Sequence, residues 1–520
     1  MKTIKSNFKY ILGLAGLASI LTGTLQSCTK LEPKLYSDLT TKNAYSTESD
    51  INAALTGIYT SLSPYPGDAY LYYAGYLVMI TDYATDIGFS TAAGDPTRMS
   101  NFTYDDNNRY FKFNYQNMYQ VISNANMLID RIENVTIPED RKKEIIAQAR
   151  FLRALSYMDL TDAWGPVPLI TTVKNPTESY NEPLATVEKI DMQIAEDCQY
   201  AIDNLPELWA ADIGRATKGA ALTLMGKMYM RSHSYEKAKI YIDQVLELRE
   251  KGIYKLNPDF KKEWSDENKM DMGLIFGVLH EPTLNGGEIT NHFGPTDNRE
   301  VPDRWQYYGV SLDFWRKYSD LDPRKQFFYY NYEGKAARDK NTKHGFFYML
   351  PAKGQTTPPS DTVKFLQNVA TKKYSYGMIN NSYLDGRTIQ VFRLADVILC
   401  KAEIENALNG PAAALPYINE IRERAGAPAY GEHPNFPVPA SKESMIDALV
   451  DERGFELVFE YKRRQDLIRL GRYEKVSNAY LKGRGLKENV TEAMRYFPYP
   501  LEEARLHHEM TTANPSRLPK

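Results

Sequence analysis

The sequence predicts a mostly α-helical protein in which a helical frame carries two large irregular loop insertions. Apolar residues recur at spacings of three and four in five places, which are spread over both halves of the chain. Residues 61–108 and 254–383 show little sustained period and are rich in Pro, Gly, Asn and aromatic residues, as loops are. Long irregular segments inside a compact protein usually serve its function.

Two strongly periodic segments begin the frame. One helix is expected over residues 140–162 and another over residues 186–205, and each is followed by a Pro-containing stop. Cys198 lies in the apolar stripe of the second helix, and Cys400 lies in a similar stripe further along, so both are expected in the core. With no other cysteine after Cys28, a disulfide scaffold is excluded.

Two further segments have the pattern of tetratricopeptide-like helix pairs. Residues 218–251 and 393–424 each contain two apolar stripes separated by a short polar or Gly-Pro turn. Small residues are expected where the two helices of such a pair cross. They recur at a spacing of twelve in both segments, at Gly226 and Ala238 and at Ala402 and Ala414.

The first 27 residues have the pattern of a lipoprotein signal peptide. Three lysines precede the apolar run 10–21, which is too short to span about 30 Å of hydrocarbon, and Leu25-Gln26-Ser27-Cys28 follows. We therefore expect export, removal of residues 1–27 and lipidation of Cys28. Several acyl chains on one residue would give stable anchoring to a membrane.

The charge balance excludes nucleic acid as a partner. The 63 basic and 66 acidic residues give a formal charge of −3, and loss of the three leader lysines would make it −6. No basic run is present, so the protein is not expected to bind its ligand by attraction to phosphate. A neutral or weakly charged ligand is expected instead. The seven His residues are scattered without ligand spacing, so no metal or other cofactor is expected.

Several stretches resemble the SusD/RagB-like family of outer-membrane nutrient-binding lipoproteins of Bacteroidetes. The matching stretches are Arg150–Ala154, Trp164–Leu169, Arg393–Leu399 with Ala402-Glu403, Ile418–Gly426, Glu452–Leu457 with Phe459-Glu460, and Asp466–Gly471. The pattern departs from the family at Gly454 and Tyr461, where Arg and Gly are usual, and in the tail after Asn514-Pro515.

The resemblance implies a SusD-like fold, a SusC-like TonB-dependent transporter as partner, and a glycan ligand held by loops. It also implies that the lipid-anchored protein lies on the outer membrane and faces the cell exterior. On this basis we expect an N-terminal half at residues 28–265 and a C-terminal half at residues 266–520, packed together as one unit.

The carboxylates Glu452, Glu456 and Glu460 are the strongest candidates for catalytic groups in the sequence. Their spacing of four residues resembles the separation of a glycosidase pair on one helix face. Four arginines crowd the same segment, however, and ion pairing lowers a carboxyl pKa where a general acid needs it raised. We therefore expect structural ion pairs and no enzyme activity. The arginines are Arg453, Arg463, Arg464 and Arg469.

Binding requires flat apolar faces for sugar C–H groups and a few fixed hydrogen-bonding side chains. The second insertion offers Arg304, Trp305, Gln306, Tyr307 and Tyr308, of which Trp305 is the expected anchor because it lies outside every helical stripe. The candidates from the first insertion are Tyr73, Arg98, Asn101 and Tyr104.

The leading hypothesis is a non-catalytic glycan-binding lipoprotein that delivers its ligand to the transporter. A tetratricopeptide-type surface lipoprotein that binds protein or peptide is the alternative, and a lipid-anchored hydrolase is a third.

Overall fold

The computed structural model describes residues 45–64, 72–210, 213–265, 268–281, 289–301, 304–335, 346–374 and 386–519. Residues 47–520 form one compact unit. The signal peptide and Cys28 lie outside the described residues, and the division into halves at residue 265 stays a prediction.

Helices dominate the described residues. The α-helices are α1 Glu48–Thr60, α2 Asp95–Ser100, α3 Arg109–Arg131, α4 Glu139–Trp164, α5 Pro176–Tyr180, α6 Val187–Asn204, α7 Lys218–Arg231, α8 Tyr235–Glu250, α9 Ile289–Phe293, α10 Leu312–Trp315, α11 Leu394–Asn409, α12 Pro411–Arg424, α13 Lys442–Glu456, α14 Arg463–Arg469, α15 Tyr473–Gly483, α16 Leu501–Leu506 and α17 His508–Arg517. The strands are β1 Gly88–Ser90, β2 Val167–Pro168, β3 Leu184–Ala185, β4 Leu274–Val278, β5 Tyr308–Ser311, β6 Phe328–Tyr329, β7 Tyr332–Glu333, β8 Phe347–Met349, β9 Val363–Phe365, β10 Asn368–Thr371 and β11 Ile389–Arg393.

The helical frame is a series of long helices in which each packs on the next. The order of packing is α3, α4, α6, α7, α8, α11, α12 and α13. The chain leaves this series after α8 and returns to it at α11, where Lys401 donates to Asp243 of α8 at 2.6 Å. The second insertion therefore leaves the frame and returns to it without interrupting helix packing.

Both predicted helix pairs are confirmed, as α7–α8 and α11–α12. A Cβ added to Gly226 would lie 2.8 Å from Cδ1 of Ile242, so a larger residue here would force that side chain to move where α7 and α8 pack closely. In the other pair, Ala402 and Ala414 are fully buried. The turn between α11 and α12 is Gly410, with φ of +91°, which Gly tolerates best, and Pro411 then starts α12.

The two predicted single helices are also present, and their ends lie within two residues of the predicted ends. Helix α4 runs two residues beyond the expected end and stops at Gly165, whose φ is +71°. Helix α6 starts after Thr186, whose side chain accepts from the backbone N–H of Lys189 as an N-cap. Cys198 and Cys400 are buried free thiols, as predicted.

The two insertions meet in one antiparallel sheet with the strand order β1-β5-β10-β6. Strand β1 comes from the first insertion and pairs with β5 of the second, so that Phe89 faces Gly309 and Ser90 faces Tyr308. The sequence predicted these segments as irregular, and it did not predict their strands, which are two to five residues long. Strands this short leave little room for a period-2 pattern.

Among the described residues, no helix combines the length and the apolar character needed to cross a membrane.

Candidate functional site

The irregular segment that leads into β5 presents its side chains alternately to the interior and to solvent. Trp305 and Tyr307 are 38% and 44% exposed, whereas Arg304, Gln306 and Tyr308 between and beside them are at most 6% exposed. The backbone turns at Gln306, whose φ is +48°, so this alternation comes from the local loop conformation and not from a regular strand. Of the five residues predicted here, the structure brings two to the surface.

Trp305 and Tyr307 form an exposed pair of rings, which we call the aromatic platform. Their ring centroids lie 5.7 Å apart with an interplanar angle of 30°. Gln306 holds the segment from below, because its Nε2 donates to Oδ1 of Asn368 at 3.0 Å and its Oε1 accepts from the backbone N–H of Thr296 at 2.9 Å. The backbone of Gln306 has φ of +48°, a conformation that non-Gly residues rarely adopt.

His292 supports the platform from the interior. Its ring stacks on Tyr308 at 4.7 Å and meets Trp305 edge-on at 5.1 Å. Burial, with a contribution from the nearby charge of Arg109, lowers the pKa of His292 to about 3. The imidazole is therefore neutral at physiological pH and acts as an uncharged packing surface.

Tyr308 connects the platform to the start of helix α3, which directly follows the first insertion. Its hydroxyl lies 2.9 Å from that of Tyr110, which also accepts from Nη2 of Arg109 at 3.1 Å. The guanidinium of Arg109 lies 5.0 Å from the centre of the Tyr110 ring, and its side chain is half exposed. Arg109 approaches Asp95, with Nε and Oδ2 4.0 Å apart.

Arg98 belongs to the same charged group, and Asn101 lies beside it. Arg98 contacts Asp95 at 3.7 Å and Asp105 at 3.5 Å, and half of its side chain is exposed. Asn101 is partly buried and uses its carbonyl oxygen to accept from Arg484 at 2.8 Å. Arg98 therefore remains available to a ligand, whereas Asn101 is occupied by an internal hydrogen bond.

Tyr73 and Tyr104 do not fit the ligand contact predicted for them, because each is only 2% exposed. The hydroxyl of Tyr73 donates to Asp159 at 2.9 Å, and the ring of Tyr104 packs against Phe111 and Phe497. The same correction applies to Tyr308, Arg304 and Gln306, whose burial gives them supporting positions. All five side chains are buried in the interior of the protein.

The predicted carboxylates are buried in ion pairs, as expected. Arg324 donates to Glu452 at 2.7 Å and to Glu456 at 3.0 Å, and Arg393 donates to Glu456 at 2.8 Å and to Glu460 at 2.5 Å. Burial alone would raise the pKa of Glu456, but these and neighbouring cations hold it well below its usual range. A carboxyl group in this state cannot serve as a general acid.

The pairing arginines differ from those that the local sequence indicated. The cations that contact Glu452, Glu456 and Glu460 are Arg324, Arg393, Arg422, Arg424 and Lys373. The nearby arginines have other partners instead: Arg453 contacts Asp396 and Asp466, and Arg463 contacts Asp86. The described residues hold no group of three or more His, Cys, Asp or Glu side chains that could bind a metal ion.

Sequence reasoning missed His292 and Arg109. His292 follows Thr290-Asn291 in a segment without period, and Arg109 is the first residue of helix α3, so neither has a local signal of its own. The alternation of exposure at residues 304–308 has no sequence signal either, because the backbone of Gln306 takes a left-handed conformation.

Comparison with known proteins places these features in a family. Residues 263–516 match the model of the SusD family, and residues 31–230 match a family model described as "Starch-binding associating with outer membrane". SusD-like protein P2 of Formosa agariphila is 26% identical over 512 residues, which cover 93% of this chain and 95% of that protein. The starch-binding protein SusD of Bacteroides thetaiotaomicron is 24% identical over 461 residues and 78% of each chain.

Solved structures have the same fold. A SusD homolog from Bacteroides thetaiotaomicron gives a TM-score of 0.72 at 23% identity, with 90% of this chain and 97% of that chain covered. Surface glycan-binding protein A from the same organism, solved in complex with laminarihexaose, gives a TM-score of 0.70 at 19% identity, with 91% and 99% covered. Since the two family models together span most of the sequence and the fold agrees, the predicted resemblance is confirmed and the chain belongs to the SusD family.

Proposed function

We propose that this protein is a non-catalytic glycan-binding lipoprotein of the outer membrane, which captures an oligo- or polysaccharide outside the cell and delivers it to a SusC-like TonB-dependent transporter. The ligand would stack on the aromatic platform, and Arg98 and Arg109 would supply hydrogen bonds near it. The platform carries the proposal, because two large rings are exposed side by side on a segment held from below by buried polar contacts.

Stacking suits a neutral sugar for a physical reason. One face of a pyranose carries C–H groups, and these pack on an aromatic ring without loss of the hydrogen bonds that the hydroxyl groups make around the edge. The relatives support this choice of ligand, since one is named a starch-binding protein and one solved structure holds laminarihexaose.

Two observations support binding without catalysis. The glutamates with glycosidase-like spacing are buried in ion pairs, and the pKa of Glu456 is held low. The outer-membrane location and the transporter partner are drawn from the family and from the expected lipidation of Cys28.

Titration calorimetry against a panel of soluble glycans, with laminarihexaose and maltohexaose included, tests the proposal. Saturable binding with no new reducing ends after long incubation is the expected result. Binding of peptides alone would favour the alternative function, and release of reducing ends would contradict the non-catalytic assignment.

A further inference from the structure

A second cleft lies along helix α3, away from the platform residues, with a volume of about 400 Å³. This volume falls in the range of small-ligand sites in proteins, which is about 300–1,000 Å³. One wall is the face of α3 that carries Tyr119 and Gln120, the second is the loop that ends in α5, and the third is formed by α16 and α17. An ion pair between Lys112 of α3 and Glu502 of α16, with a distance of 2.7 Å, joins the first and third walls.

Two tyrosines provide apolar faces in this cleft. Tyr180 of α5 is 40% exposed, and Tyr119 is partly exposed, with its ring 5.0 Å from that of the buried Tyr115. The hydroxyl of Tyr119 donates to the backbone carbonyl of Pro168 at 2.7 Å. That bond fixes the orientation of the ring and leaves its exposed face for contact with a ligand.

The polar groups of the cleft are mainly neutral. Gln120 and Ser123 lie exposed on α3 and offer an amide and a hydroxyl group to the cleft. The charge of Lys174 is paired with Glu182, and the carboxylate of Glu503 accepts a hydrogen bond from the neutral amide of Gln116 at 2.8 Å. Such a lining suits an uncharged ligand with several hydroxyl groups.

His507 lines the cleft between α16 and α17. Its side chain is only 6% exposed, and its Nε2 lies 2.8 Å from the carbonyl oxygen of Glu182, which it can reach only as a donor. In the described chain, Nδ1 of His507 has no hydrogen-bond partner. Because this nitrogen is itself buried, His507 borders the cleft with its ring, and its bond to Glu182 fixes the orientation of that ring.

We propose that this cleft is a second saccharide-binding site, specific for a short neutral segment that stacks on Tyr119 and Tyr180. The inference rests on the proposed glycan binding and deepens it. Helix α3 links the two sites, since Arg109 at its start belongs to the platform region and Tyr119 lies ten residues further, about 15 Å along the axis.

Calorimetric stoichiometry of the full chain tests the proposal, with neutral hexasaccharides of α- and β-linked glucose, mannose, galactose and xylose as probes. The cleft variant is Tyr119→Ala/Tyr180→Ala, and the platform variant is Trp305→Ala/Tyr307→Ala. Tyr241→Ala is the matched control, because this partly exposed ring lies on α8, outside both sites.

We expect two sites in the parent protein and one site in each double variant, with the affinity of the lost site reduced at least about tenfold. Tyr119→Phe should retain both sites, since it keeps the ring. If Tyr119→Ala impairs folding, Tyr180→Ala alone gives the test at an exposed position.

The other outcomes separate the two proposals. If the parent protein binds at one site and only the platform variant loses it, the cleft proposal is wrong and the proposed function stands. If the parent protein binds at one site and only the cleft variant loses it, the cleft is the saccharide site and binding at the platform is wrong. No binding to any probe would overturn both.

Discussion

Asp82 and Asp86 lie four residues apart in the same buried segment, and their surroundings shift their pKa values in opposite directions. Burial raises the pKa of Asp82 to about 7, since its nearest polar contact is the hydroxyl of Thr81 at 2.8 Å. Asp86 is also buried, but Arg463 and Lys317 contact it at 2.9 and 2.8 Å and hold its pKa well below the usual range. The difference between them is the presence of paired cations.

Asp82→Asn should stabilise the protein at pH 8. An unfolded Asp titrates near 4 and the folded Asp82 near 7, so the folded chain binds the extra proton between these values and loses stability as the pH rises through that window. Asn cannot ionise and avoids this loss. The free energy of unfolding should rise by up to about 4 kcal/mol at pH 8 and by much less at pH 5, as measured by urea denaturation.

Asp86→Asn is the matched control with the opposite sign. A carboxyl with a depressed pKa stabilises the fold above the unfolded pKa, and this contribution is lost as the pH falls. The substitution should therefore destabilise the protein at pH 8, because Arg463 would be left buried without its carboxylate. Equal effects of the two substitutions at pH 8 would contradict this account.

At the scale of the element, helix α13 ends in a buried ionic network. Glu452 and Glu456 lie one turn apart on this helix and contact arginines that come from β11, α12 and the segment at residue 324. The network therefore joins the C-terminal helices to the second insertion. Its function is structural, since Glu452, Glu456 and Glu460 each have at least two basic partners.

Glu456→Gln should destabilise the protein by about 3–5 kcal/mol, because it removes one partner and leaves buried arginines without full compensation. Urea denaturation measures the loss. Glu443→Gln is the control, since Glu443 is 70% exposed where it pairs with Arg472 and should contribute no more than about 1 kcal/mol. A loss for Glu456→Gln as small as for the control would show that the network is not structural.

The elements differ in how far the sequence predicts them. The long helices follow from local apolar periods and from stops such as Gly165 and Gly410, and these agree with the structure within a few residues. The partners of Glu456 could not be predicted, because Arg324 and Arg393 lie more than 60 residues away in sequence. Strands β1 and β5 depend on pairing between two insertions, which no local pattern encodes.

The same distinction applies to the candidate site. Trp305 could be proposed because a large aromatic residue outside any helical stripe is conspicuous in the sequence. The burial of Tyr73 and Tyr104 follows from distant partners, Asp159 and Phe497, and is therefore invisible to local reasoning.

At the scale of the whole molecule, we expect the N-terminal segment to attach the protein to a membrane. The described residues contain no helix that could span a bilayer, and Cys28 is the expected lipidation site. Cys28→Ala should therefore release the protein from the membrane fraction during carbonate washing. Retention of the variant in that fraction would contradict lipid anchoring at this residue. Cys198→Ala provides the control, because this buried thiol should not affect attachment.

The most direct test of the account compares glycan affinity with folding stability for Trp305→Ala. A platform residue that is 38% exposed should weaken binding of the best glycan by about 1–4 kcal/mol on truncation, with little change in the melting temperature. Trp209→Ala is the control, because this partly buried indole donates to the carbonyl of Ala216 and should affect stability but not affinity. Intact affinity with a large drop in melting temperature for Trp305→Ala would contradict the account, since loss of a core Trp typically costs about 3–5 kcal/mol.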